Sequence, residues 1–108
     1  MKRTVRVLRR AQRDLQQIYD YVATDAPPRA ASFIDRFLDA IESLDEFSER
    51  GATPRDSVLR QRAYRHLKHL EYLVFYKVLQ RRVRAYRVLH AKRAYRHLLG
   101  ARELAAAP

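Results

Sequence analysis

The chain has 108 residues, no cysteine, two glycines and a formal net charge of +11. That length holds one domain with one modest core, and the absence of cysteine removes disulfides and thiolate metal sites. No apolar run reaches the roughly 18 residues that a bilayer requires, and residues 5–8 are too short for a secretory signal, so the cytoplasm is the expected location.

The charge is unevenly spread. Residues 1–50 carry nine Lys/Arg and nine Asp/Glu, whereas residues 51–108 carry 14 and three, so the whole excess lies in the second half. Folding requires no such asymmetry. It favours a polyanionic partner: a nucleic acid, an acidic protein or an anionic surface. A solvated, arginine-rich surface is the plainer alternative.

Residues 4–8 alternate, with Val5 and Val7 on one face, and read as a short strand. From Ala11 the period changes to that of a helix, with Leu15, Ile18, Tyr19 and Val22 on the same stripe. Asp25-Ala26-Pro27-Pro28 ends it, because the residue before a proline is driven out of helical geometry. Pro28 suits the first turn of a second helix, whose stripe includes Ala30, Phe33, Phe37, Ile41, Leu44 and Phe47 and which Gly51 stops. Residues 51–61 read as a loop and 62–67 as a strand, with a turn at Lys68-His69.

Residues 72–79 are apolar on both faces: Tyr72, Val74, Tyr76 and Val78 on one, Leu73, Phe75 and Leu79 on the other. They read as a central strand covered on both sides. A turn near residues 80–82 leads to a last strand. Strict alternation puts Arg82, Arg84, Tyr86, Val88 and His90 on one face and Val83, Ala85, Arg87 and Leu89 on the other. A short helix follows over 91–99, then a tail over 101–108, leaving one domain at 1–100. Ala-Tyr-Arg-His-Leu occurs at 63–67 and again at 94–98, but the contexts differ and no repeat architecture follows. The order gives an α+β fold, βααβββ(α), with a helical hairpin on a curved, mainly antiparallel sheet.

The basic half offers one set of parts for RNA cleavage. His90 stands at a strand end beside Lys92 and Arg93, with Arg65 and Arg87 on strands, and acid–base groups with cations suit a phosphorane-like transition state. The alternative is that His90 satisfies a backbone group. No cofactor is expected: two glycines cannot supply a P-loop or a dinucleotide motif, and His66 and His69 lack further ligands for a metal. Tyr64, Tyr72, Tyr76 and Tyr86 stack bases on one reading and pack across strands on the other.

Several stretches carry a family resemblance: Ala63-Tyr64-Arg65-His66-Leu67, Tyr72-Leu73-Val74-Phe75-Tyr76-Lys77-Val78 and Arg87-Val88-Leu89-His90. To these are added Arg13-Asp14-Leu15-Gln16-Gln17-Ile18-Tyr19-Asp20-Tyr21 and Glu49-Arg50-Gly51. Over residues 3–99 the chain resembles the RelE/ParE superfamily of bacterial type II toxin–antitoxin toxins, most of all its ParE branch, the plasmid-stabilisation proteins. It departs at Lys92-Arg93-Ala94, where an Arg-Arg-Asp sequence is frequent in the family. The resemblance implies a toxin neutralised by an acidic or amphipathic antitoxin wrapped on the hairpin and sheet. ParE-like members inhibit DNA gyrase by binding, whereas RelE-like members cleave mRNA on the ribosome. The gyrase reading leads, and Arg65, Arg82, Arg84, Arg87, His90, Lys92 and Arg93 are the expected partner- or target-binding residues. Under the nuclease reading, His90, Arg65, Arg87 and Arg93 form the catalytic set. A basic nucleic-acid-binding module without toxicity is the third reading.

Overall fold

A computed structural model describes residues 2–92. Strand β1 (Thr4–Val7) leads into α1 (Arg9–Asp25) and α2 (Pro27–Glu42), which closes with a 3-10 turn at Ser43–Asp45. A short helix α3 (Ser57–Gln61) precedes β2 (Arg65–His69), β3 (Tyr72–Val78) and β4 (Arg82–His90). The strands form one sheet in the order β1-β4-β3-β2, in which β1 runs parallel to β4 and the other pairs are antiparallel. This is the expected α+β architecture. Residues 91 and 92 are helical, while the rest of the helix expected over 91–99, with Arg93, and the tail at 101–108 lie outside the described residues.

The helical hairpin forms as the prolines dictate. Ala26 alone separates the two helices, in a non-helical conformation (φ −144°, ψ 73°), and Pro27 and Pro28 open α2 where their missing donors cost nothing. The apolar stripes of α1 and α2 then cover one face of the sheet. Ala11, Leu15, Ile18, Phe37, Ile41 and Leu44 meet Val74, Tyr76, Val83, Ala85 and Val88 there. Phe37 and Ile41 are fully buried, as the stripe predicts.

A second, smaller core lies on the opposite face, where Leu59, Tyr64, Leu73, Phe75 and Tyr86 pack together. It accounts for β3 being apolar on both sides. Leu59 comes from α3, within the segment expected to be a loop. The Asp56 carboxylate accepts a hydrogen bond from the Leu59 amide (3.0 Å) and caps this single turn. Five residues are too few to leave a helical period in a sequence.

Three further expectations are corrected. The second helix ends at Glu42 and Ser43–Asp45, well short of Gly51, which serves a different purpose. The turn expected at Lys68-His69 lies at Leu70-Glu71 instead, with Leu70 at φ 55° and exposed, so both polar residues belong to β2. A β-bulge at Tyr86 shifts the register between Phe75↔Arg87 and Tyr76↔Ala85. Strict alternation therefore fails in β4: Val83, Ala85 and Val88 face the first core, while Tyr86 and Leu89 join the second.

Gly51 is buried under Tyr76. The Tyr76 hydroxyl donates to the Ser48 carbonyl (2.7 Å) and accepts from the Gly51 amide (3.1 Å). An added Cβ at Gly51 would lie 2.5 Å from that hydroxyl and 2.7 Å from the His66 carbonyl oxygen. Gly51→Ala is therefore expected to destabilise the fold by about 1–3 kcal/mol, as overpacking does. Urea unfolding measures it, and an unchanged midpoint would show that the contact is not as close as described.

Candidate functional site

The edge strand β1 spans four residues, whereas its neighbour β4 spans nine. After Val7 the chain turns into α1, and the remaining length of β4 loses its strand partner. Asp14 takes over that role from the helix. Its Oδ2 accepts from the Val88 amide (2.9 Å) and from Arg87 Nε (2.8 Å), and Oδ1 accepts from Arg87 Nη2 (3.3 Å). Arg10, one turn earlier, adds a longer contact at 3.4 Å. Asp14 and Arg87 are only 4% and 7% exposed, so this charge pair is held inside the fold and not offered to a ligand.

Arg65 is also occupied by the fold. Its Nη2 donates to the Glu49 carbonyl (2.8 Å) and the Gly51 carbonyl (2.6 Å). With Tyr76 it holds the Glu49-Arg50-Gly51 corner, and Ala52 then pairs with His66 as a one-residue extension of the sheet.

His90 stands at the far end of β4, level with Tyr72 and His69 in the register. Its Nδ1 accepts from the Lys92 amide (3.2 Å), and Nε2 lies 3.3 Å from Glu71. Its ring meets Tyr72 edge-on, and Phe37 packs against both Tyr72 and His69. Arg65 is paired with Tyr76, four residues along β3 from Tyr72, or about 13 Å at strand rise. Arg82 and Arg84 lie towards the opposite end of β4. The structure thus brings His90 together with exposed Lys92 and Glu71, but not with Arg65 or the buried Arg87. Among the described residues no group of three His, Cys, Asp or Glu side chains is placed to hold a metal ion.

On the sheet face away from the helical hairpin, sequence reasoning missed three cations, Arg6, Arg62 and Lys77. Lys77 Nζ sits 4.5 Å above the Tyr64 ring and 5.4 Å from that of Tyr86, which meet edge-on. Burial lowers the Lys77 pKa, and the charges of Arg62 and Arg84 lower it further. Burial, with Tyr86 adding to it and Arg62 opposing, pushes the Tyr64 phenol up to about 12. The cross-strand packing reading of these tyrosines is the one the structure shows. Alternation alone identifies Lys77 as the one charge inside an otherwise apolar strand, which is the signal that could have found it.

A groove of about 350 Å³ runs between α1, α2 and β1, lined by Val7, Leu15, Tyr19, Ile34 and Leu38. Tyr19 and Tyr21 are exposed on the same helix. No helix among the described residues is long and apolar enough to cross a membrane.

Two outcomes follow from these geometries. Asp14→Ala leaves Arg87 and the Val88 amide buried without their acceptor, so a loss of about 3–5 kcal/mol is expected in denaturant unfolding; a change under about 1 kcal/mol would assign the pair a surface role. The second concerns pH. Burial lowers the pKa of His66 and, aided by the Arg50 charge, that of His69. The unfolded chain then binds protons that the folded one refuses, so stability falls as pH drops below about 6.5. Melting temperatures recorded from neutral to mildly acidic pH check this, and the slope should shrink in His69→Phe.

Comparison with known proteins accords with this fold. The family model for the ParE toxin of the type II toxin–antitoxin system parDE matches residues 5–95. No curated protein sequence matches the chain. A chain of the chromosomal ParDE system from P. aeruginosa shares the fold at 18% identity, with a TM-score of 0.68 over 82% of this chain and 96% of that one. A chain of the RelBE2 toxin–antitoxin complex from Mycobacterium tuberculosis does so at 21% identity, with a TM-score of 0.61 over 83% and 99%. With the family model spanning the strand–hairpin–sheet unit from β1 to beyond β4, the chain belongs to the ParE toxin family of type II toxin–antitoxin systems.

Proposed function

We propose that this protein arrests growth by binding DNA gyrase, without chemistry of its own, and that a cognate acidic antitoxin neutralises it in the cytoplasm. The observation that carries this reading is the employment of the groups a nuclease would need. Arg87 neutralises Asp14, and Arg65 is spent on the carbonyls of the Glu49-Arg50-Gly51 corner. His66 stacks on Phe75, and His69 packs on Phe37. His90 keeps company with Glu71, four residues along β3 from the position of Arg65. General acid–base catalysis asks for two proton-transfer groups free to converge on one phosphate, and His69 and His90, which flank Tyr72 in the register, are engaged by Phe37 and by Glu71.

The antitoxin reading is supported by the groove between α1 and α2. An amphipathic segment can lay apolar side chains on Leu15, Ile34 and Leu38 while its backbone follows the outer edge of β1. The P. aeruginosa and M. tuberculosis proteins of like fold come from toxin–antitoxin systems. An acidic partner also answers the charge of +11.

The nuclease reading has one observation in its favour, Lys77 over a tyrosine pair, made easier to deprotonate by burial and by the charges of Arg62 and Arg84. The two readings part at His90. Loss of a catalytic group costs on the order of 10² in rate, whereas one imidazole on a contact surface costs little outside a hot spot. Folded His90→Ala is expected to retain most of its toxicity on induction, and purified protein should inhibit gyrase supercoiling while leaving mRNA ends unchanged. A harmless His90→Ala, together with discrete codon-linked cuts by the wild type, would transfer the assignment to the nuclease.

A further inference from the structure

The outer face of the sheet carries a row of like charges that folding does not explain. The register sets Arg6 of β1 opposite Arg84 of β4, and Arg84 opposite Lys77 of β3. Neighbouring strands lie about 4.8 Å apart, so three cations stand abreast within about 10 Å. Like charges directly opposite one another destabilise a sheet. Arg62 bears on Lys77 from the β2 side, and Arg82, two residues before Arg84, extends the row towards the β3–β4 turn. Among the described residues none of Arg6, Arg62, Lys77, Arg82 or Arg84 is joined to a carboxylate. Arg6, Arg62 and Arg82 are exposed, and Lys77 and Arg84 half-buried, so the row is open to a ligand.

We propose that this row, Arg6–Arg84–Lys77 with Arg62 and Arg82, binds the phosphodiester backbone of a nucleic-acid duplex without reading its sequence. Three features select that ligand. The row offers charge and almost no apolar surface, because Tyr64 and Tyr86 are buried and Val83 faces the other core. Protein interfaces are centred on apolar anchors and depleted of lysine, whereas backbone contacts need only cations. Single strands are held by stacking bases on aromatic faces, and here Lys77 sits over the tyrosine pair. A duplex keeps its bases stacked on each other and presents phosphates alone. The inference stands apart from the choice of target, because free duplex is the probe.

The test uses the purified full chain and labelled duplexes of two unrelated sequences, as DNA and as RNA, with the matching single strands. Anisotropy is followed between about 50 and 200 mM salt. Wild-type protein should bind both sequences alike and bind duplex more tightly than single strand; the DNA and RNA arms show which duplex is preferred. The triple variant Arg6→Gln, Arg84→Gln, Lys77→Gln should weaken binding by about tenfold or more, and the salt slope should flatten by about one for each phosphate that is no longer neutralised. A control with the same net charge, Arg13→Gln, Arg29→Gln, Arg36→Gln, removes exposed cations of α1 and α2 and should bind as the wild type does. Equal losses in the two triples would reduce the effect to net charge and overturn the proposal. Tighter binding of single strands would overturn it in favour of stacking. Absence of duplex binding, with the row variant instead losing affinity for an acidic peptide, would hand the row to a protein partner.

Discussion

The fold depends on how the unpaired length of β4 is satisfied. A nine-residue strand in the sheet interior lies beside an edge strand of four. Beyond Val7 the amide of Val88 would be buried without an acceptor, a cost comparable to a lost hydrogen bond. Asp14 supplies the acceptor from α1, and Arg87 supplies the counter-charge that allows a carboxylate to be buried there. One side chain thus completes the sheet and fixes the register of the first helix on it. Since α2 follows α1 after a single residue, the whole hairpin inherits that placement.

The bulge at Tyr86 is the other half of this arrangement. It turns β4 just where β1 gives out, so that Tyr86 stays in the second core and Val88 returns to the first. The sheet is therefore buried on both sides near its middle, which a four-stranded sheet with a single helical layer would not achieve. Closure on the second side falls to Leu59 and Tyr64. The segment before them is held by Tyr76 and Arg65, whose hydrogen bonds fix the Gly51 corner.

This division sorts the cations into two kinds. Arg65 and Arg87 are consumed by the fold, one on backbone carbonyls and one on a buried carboxylate. Arg6, Arg62, Lys77, Arg82 and Arg84 gather at one end of the sheet, where neighbouring like charges raise the energy of the free protein. Charge that burdens the folded chain is understandable where a partner neutralises it.

The sequence by itself determined the order of the strands, the helical hairpin and the burial of β3, because each leaves a local mark. Prolines excluded helix at Ala26, apolar stripes at helical spacing placed Phe37 and Ile41 inside, and the dense run at 72–79 announced a strand covered twice. It also determined where the net charge lies. Tertiary structure alone decided what each charge does. Helical spacing from Ala11 and Ile18 sets Asp14 beside the apolar stripe, but Arg87 is 73 residues away in the chain and nothing local pairs the two. The bulge at Tyr86 inverted the faces of the rest of β4, so a strict period of two misassigned Val88 and Leu89. Leu70 took a left-handed turn position that an apolar residue does not advertise, while the polar Lys68 and His69 stayed in the strand. The row Arg6–Arg84–Lys77 joins three strands from both ends of the chain, and only the register of the folded sheet sets such residues side by side.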